Sequence, residues 1–325
     1  MTTTTESQAT DLFREAPEKY IDVEGGSAVA YRRVGTGPDV LFVHGWPVTS
    51  GTYRRLLPRL APHVTCHLID LPGAGHSRFD RSTSIGIHTH IAAVRQVIDA
   101  LGLESVALVG HDSGGLIARH AVAGDARLRS MVLLDTEQSQ GLSLLFRFFL
   151  FMSRLPKFEA ILAWTANQRT LRRSPLLLGG CFADKGLLDG EFSELFLEPL
   201  RDDGMKRWAS GALIRSFERR YVDELAGVHT RITQPVRLVW GERDPFFPLA
   251  WAEEMVTTFP DATLHVVPQA KLFVHEEFPD QVAAAMLPTL LVDRSTRSQR
   301  AEPPDRGPGT PARKFEPGTS RWSAP

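Results

Sequence analysis

The segment Val106-Ala107-Leu108-Val109-Gly110-His111-Asp112-Ser113-Gly114-Gly115 constrains this chain more than any other. Four apolar residues run without a polar break, as in a strand covered on both faces, and the glycine-rich stretch after them opens onto a helical pattern over Ser113 to Gly124. A strand that passes straight into a helix must turn sharply, and small residues are needed where the two backbones approach. Gly110 and Gly114 sit two positions either side of Asp112, so Asp112 is the residue presented at the top of the turn. Centring the turn on Ser113 is the alternative, and it puts His111 at one of the small positions.

The same rhythm repeats on both sides of this unit. Val40 to Val43, Val64 to Ile69, Val106 to Val109 and Met131 to Leu134 read as buried strands, with helices predicted over Thr52 to Leu60, Ile85 to Leu101 and Ser113 to Gly124. Strand and helix in alternation imply an α/β fold with a mostly parallel sheet covered on both faces. Residues 137 to 230 break the rhythm, because Leu, Phe, Trp and Arg recur there at helical spacing without a strand pattern. The alternation resumes with strands at Val236 to Trp240 and Leu264 to Val267, and helices at Leu249 to Phe259 and Glu276 to Leu290. The expected organisation is a core in two parts, 1–136 and 231–291, split by a helical cap at 137–230 and followed by a tail at 292–325. That tail carries six prolines and few apolar residues, so it is expected to stay disordered.

Composition removes several function classes. With 37 Lys plus Arg against 38 Asp plus Glu, there is no broad positive field for phosphate backbones, and nucleic acid is not an expected partner. Cys66 and Cys181 are the only cysteines and stand in no metal-ligand spacing, which suits a reducing compartment; no metal and no cofactor are expected. Met1 to Thr10 has neither a basic segment nor an apolar run of signal length, so the chain reads as cytoplasmic. The most apolar stretch, Leu142 to Met152, is interrupted by Arg147 and followed by Arg154 and Pro156, so stable membrane insertion is not expected. It is expected instead to line an apolar cavity, with a partner surface as the alternative.

The turn around Asp112 resembles the nucleophile elbow of the α/β-hydrolase family, and two further segments share the resemblance. Phe42-Val43-His44-Gly45-Trp46-Pro47 is similar to the family's oxyanion loop, which implies backbone N–H donors at Trp46 and Ser113. Leu238 to Pro245 is similar to the strand end that supplies the acid of the triad, implying Asp244 in that role with Asp135 as the alternative position. An aspartate at the elbow implies the branch that contains haloalkane dehalogenases and epoxide hydrolases. A carboxylate can displace a leaving group at saturated carbon without a base to activate it. The substrate implied is a small apolar molecule held between core and cap, with His44, His111, Trp164 and Leu272 around it. A homodimer is left open.

The chain departs from the family at the base that should activate water. The motif reads approximately Gly-His-Phe-x-x-Glu-Glu-x-Pro, whereas here Lys271-Leu272-Phe273-Val274-His275-Glu276-Glu277-Phe278-Pro279 puts Leu272 in the histidine slot. His275 lies three positions on and reads as an ordinary helix-surface histidine, with a stand-in for the missing base, if the loop is re-registered, as the alternative. Leaving-group donors in the cap are sparse as well: Tyr221 is its only tyrosine, and Trp164, Trp208 and Arg169 are the other candidates. The leading expectation is therefore attack by Asp112 at saturated carbon. Three alternatives stand beside it: a non-hydrolytic enzyme using Asp112 as an acid or base in cyclisation, elimination or isomerisation, a protein that only binds, and a scaffold interacting through 144 to 151.

Overall fold

The computed structural model describes residues 5–293, and the expected tail falls outside them beyond Asp293. Eight strands form one sheet in the order β1-β2-β4-β3-β5-β6-β7-β8. They are β1 Lys19–Val23, β2 Ser27–Gly35, β3 Asp39–Val43, β4 Thr65–Asp70, β5 Val106–His111, β6 Leu128–Leu134, β7 Val236–Gly241 and β8 Ala262–Val267. From β4 across to β8 every pairing is parallel, while β1 and β2 form an antiparallel hairpin that extends one edge. The hairpin was not among the predicted strands. Its sequence mixes Lys19, Asp22, Arg32 and Arg33 with the apolar residues, which hides the period.

Alternation along the strands sorts side chains into two cores. Val40, Phe42, Ala107, Val109, Val132 and Leu134 point to the face covered by Tyr53, Leu57 and the helix Pro279–Leu290. Leu41, Val43, Leu108, Met131 and Leu133 point to the other face, under Val94 and Val97 of α3 (Ile87–Ala100) and Leu116 and Ile117 of α4 (Ser113–Val122). The two short helices that precede these, α1 (Glu6–Asp11) and α2 (Leu57–Leu60), flank the first of the two cores. Every residue of β5, β6 and α4 is buried, and each fully buried Leu, Val or Phe contributes about 1.5–3 kcal/mol.

Between β6 and β7 the chain leaves the sheet through α5 (Leu144–Met152), α6 (Phe158–Ala166) and several shorter helices before returning at Val236. Phe182, Phe192 and Phe196 of this excursion stack on one another and on Phe273 of the sheet domain, so the second core continues into the cap. α5 does not line the cavity described below. Its inner side packs Phe149 on Trp46 and Phe146 on Phe247. No described helix is long and apolar enough to cross a membrane.

Candidate active site

β5 ends at His111, and Asp112 adopts φ 51°, ψ −136° before α4 begins at Ser113. A positive φ at a non-glycine residue is costly and persists only where the surroundings enforce it. Here the Asp112 N–H donates to the Asp135 carbonyl (2.9 Å), and its C=O accepts from Gly115 N–H (2.8 Å) and the Thr136 hydroxyl (2.7 Å). The flanking glycines are space requirements: a Cβ on Gly114 would strike the carbonyls of Val43 and His44, and one on Gly110 would lie 2.6 Å from the Gly115 Cα. Gly45 has the same role from the oxyanion loop, since its Cβ would lie 2.5 Å from both Cβ and Oδ2 of Asp112. Asp135, at the end of the neighbouring strand, also has positive φ (30°).

The loop after β3 brings the Trp46 N–H 2.8 Å from Asp112 Oδ2. Burial of the Asp112 carboxyl raises its pKa well above the ordinary value. The negative charge of Glu137 adds to that, and hydrogen bonds from the Trp46 and Ser113 N–H groups oppose it. The structure thus brings Asp112, Trp46 and Ser113 together, with both backbone donors directed at the carboxylate.

Asp244 follows β7 and is also buried. Its Oδ1 accepts from the N–H groups of Phe246 (2.7 Å) and Phe247 (3.0 Å), while Oδ2 has no hydrogen-bond donor. Burial pushes this carboxyl up to about 7 against those two N–H groups. Asp135 Oδ1 accepts from Gly241 N–H (2.7 Å), its Oδ2 also lacks a donor, and burial followed by the charge of Asp244 holds its pKa well up. The two acid positions, alternatives in the sequence, are therefore both aspartate and both occupied, and they form one carboxyl pair. Asp112 feels the charge of Asp244 as well.

This pair has a consequence for stability. Below pH 3.8 Asp244 keeps its proton in both folded and unfolded chains; between 3.8 and about 7 the unfolded chain releases it and the folded chain does not. Folding then carries a growing penalty as pH rises through that window, and the penalty levels off above it. The urea midpoint is expected to be lower at pH 8 than at pH 5, with a smaller difference in Asp244→Asn.

His275 is not joined to these carboxylates. It is fully buried on the short helix Val274–Glu277, its Nε2 lies 2.8 Å from Thr52 Oγ1, and its ring packs against Tyr53 and against the edge of His111. Burial, then the charges of His111 and Arg54, hold its pKa well below the usual imidazole value. Neither a relay histidine nor a surface histidine describes it: it belongs to a buried cluster in which Thr52 also meets Glu276 (3.2 Å) and Arg54 pairs with Glu276 (2.7 Å). The predicted helix over Glu276 to Leu290 starts earlier and breaks at Phe278, and this turns His275 inward.

The residues expected around a substrate separate in the same way. Leu272 is buried in the core that joins sheet and cap, and its carbonyl accepts from His111 Nε2 (2.9 Å). His111 is wholly buried under Phe273 and His275, and burial lowers its pKa to about 4. Trp164 is 59% exposed, and neither it nor His111 lines the cavity described below. His44 does line the cavity, but both its nitrogens are engaged, with Gly45 O and Leu71 N–H (each 2.9 Å). The other cap donors are committed elsewhere: Trp208 under Arg81, Arg169 to Asp189, and Tyr221 against His120. Cys181 was missed by the sequence reading. It is a buried cap thiol whose pKa is raised by burial and then by the charges of Asp244 and Asp112. No spacing pattern signals it.

A cavity of about 430 Å³ lies between the oxyanion loop, the turn after β4 and the cap. It reaches Gly45, Trp46 and Ser113, the residues that hold the Asp112 carboxyl, and its cap side is formed by Leu195, Phe196 and Leu213. The Trp46 indole N–H is tied to the Ser210 carbonyl (3.1 Å), which joins the oxyanion loop to the cap.

The chain is similar to known proteins to different degrees. The chain is 27% identical over 285 residues to haloalkane dehalogenase 2 of Mycobacterium tuberculosis, covering 80% of this chain and 90% of that one. It is 29% identical over 260 residues to a pimeloyl-[acyl-carrier protein] methyl ester esterase of Chromobacterium violaceum, covering 73% and 88%. Among solved structures, a loop variant of the haloalkane dehalogenase DbeA from Bradyrhizobium elkanii superposes with TM-score 0.69 at 21% identity over 87% of this chain and 98% of that one. The epoxide hydrolase CorEH does so with TM-score 0.69 at 21% identity over 83% and 97%. Residues 38–279, which contain the elbow, the oxyanion loop and both acid positions, match the alpha/beta hydrolase fold family, and the chain belongs to that family.

Proposed function

We propose that this protein is a hydrolase-type enzyme in which the Asp112 carboxylate attacks a saturated carbon of a small apolar molecule. The observation that carries this reading is the 2.8 Å hydrogen bond from Trp46 N–H to Asp112 Oδ2, reinforced by Ser113 N–H. The Trp46 N–H holds Oδ2, and the attack is assigned to Oδ1. Asp112 Oδ1 forms a bond to carbon as the carbon–halogen or carbon–epoxide oxygen bond breaks. The leaving atom takes the electron pair, and an epoxide oxygen must then gain a proton. The product is an ester on Asp112 whose carbonyl oxygen already occupies the site where an oxyanion is stabilised during its hydrolysis.

Hydrolysis of that ester normally calls on an imidazole. Leu272 supplies none, and His275 is engaged with Thr52. The ester is therefore expected to persist. Exposing the protein to panels of epoxides and alkyl halides and weighing it intact should reveal a stoichiometric adduct, absent in Asp112→Ala. Turnover of a panel compound by Asp112→Ala, with loss in Ser113→Ala, would transfer the role to Ser113.

One observation favours a second reading. Burial and the neighbouring carboxylates Glu137 and Asp244 raise the Asp112 pKa, which favours its protonated form, and a protonated acid is not a nucleophile. In that case Asp112 donates and recovers a proton in an isomerisation, elimination or cyclisation. No adduct would form with any electrophile, and activity would fall as pH rises through the Asp112 pKa.

A further inference from the structure

The segment Leu144 to Met152 is apolar all round except for Arg147, so packing one side of α5 onto the domain leaves an apolar side over. The inner side is taken by Phe146 and Phe149. On the outer side Leu144, Phe148 and Phe151 are 80%, 60% and 62% exposed, and their spacing of four and three residues makes a single stripe; Leu155, 42% exposed, follows in the turn after the helix. The next helix adds Ile161 and Trp164, 57% and 59% exposed and one turn apart. Large apolar side chains grouped in this way on a water-facing surface mark an interaction site.

Charge decides between occupants. Arg147, Arg154 and Lys157 flank the stripe, are exposed, and form no ion pair with any described residue. Between Gln138 and Asp184 the sequence has one carboxylate, Glu159, and it is bridged to Arg215 at 2.8 Å. A two-fold contact between copies would set this patch against itself. The cations of both copies would then meet with no acid to offset them.

We propose that the outer face of α5 docks on an anionic phospholipid surface. Leu144, Phe148, Phe151 and Leu155 enter the acyl boundary, while Arg147, Arg154 and Lys157 lay their aliphatic stems along it and place their charges among the headgroups. The Trp164 ring, apolar with one N–H, suits the same interface. α5 has nine residues, so it lies on the bilayer and does not cross it.

The test is sedimentation of the full chain with vesicles of phosphatidylcholine alone or mixed with phosphatidylserine. The protein is expected to pellet with the mixed vesicles, less so as salt is raised, and only weakly with phosphatidylcholine. Phe148→Ser combined with Phe151→Ser should lower the partition coefficient about tenfold or more, and Arg147→Glu and Arg154→Glu should each lower it by more than about fivefold. All these side chains are exposed, so circular dichroism and the melting midpoint should stay at wild-type values; the charge reversals carry the test if the serine variant does not fold. Pelleting that is absent, or equal in wild type and variants, overturns the proposal. So does a concentration-dependent dimer in vesicle-free buffer that disappears in the serine variant, which would make the face a contact between copies.

Discussion

Leu272→His is expected to speed hydrolysis of the Asp112 ester by a factor of about 10²–10⁴, the usual contribution of a positioned general base. The acceptor for its imidazole is already present: Asp244 Oδ2 is buried without a donor beside Asp135. The loop leading to residue 272 is also held against the strand end that carries Asp244, since Arg243 N–H donates to the Ala270 carbonyl (2.9 Å) and the Lys271 carbonyl packs on Gly241. A histidine at 272 would donate one N–H to that oxygen and turn its other nitrogen toward water at the ester. The measurement is decay of the intact-protein adduct after excess electrophile is removed. Unchanged decay in Leu272→His, together with loss of adduct turnover in His275→Ala, would return the base to His275. The Leu272 side chain is 7% exposed, so burying imidazole there has a stability cost, and the melting midpoint should be measured alongside.

Arg119→Met is expected to destabilise the protein by about 3–5 kcal/mol, as when one partner of a buried charged network is removed. Arg119 is wholly buried on α4 beneath the elbow. Its guanidinium donates to the carbonyls of Gly115 (2.9 Å) and Glu137 (2.7 Å) and to the Thr136 hydroxyl (3.0 Å), and meets His229 at 3.1 Å. Burial lowers its pKa to about 10, with the Glu137 charge opposing the shift. Methionine fills comparable volume and supplies no donor, which leaves the Glu137 carbonyl without its guanidinium partner and removes the positive charge near the Glu137 carboxyl. Urea unfolding gives the value. A loss below about 1 kcal/mol would mean that water replaces the guanidinium. Thr136 also donates to the Asp112 carbonyl, so the same variant tests whether this network keeps the elbow in its positive-φ conformation.

Most of the sheet was legible because its signal is local. Buried parallel strands need apolar runs, and Val40 to Val43, Val106 to Val109 and Met131 to Leu134 supply them. The edge hairpin β1 and β2 faces water in part and carries charges that blur the period, so it surfaced only with the pairing partners in place. The elbow was legible too, and even the choice of Asp112 over Ser113 follows from which neighbours are small. Gly110 and Gly114 are demanded by contacts with Gly115, Val43 and His44, and histidine at either position would collide with backbone.

What the sequence by itself determined is this layered fold, the strained turn with aspartate at its top, and the absence of histidine from the position after the last strand. Each is written in neighbouring residues, through steric demand or apolar periodicity. The fate of His275, the pairing of Asp135 with Asp244, and the exposure of Trp164 were decided only in three dimensions. His275 turns inward because the chain breaks at Phe278 and Thr52 is there to receive it. Asp135 and Asp244, 109 positions apart, meet because β6 and β7 lie side by side and end at the same edge of the sheet. Carboxyl groups brought together in a buried place hold their protons to higher pH, because burial and the neighbouring charge act together only in the packed state.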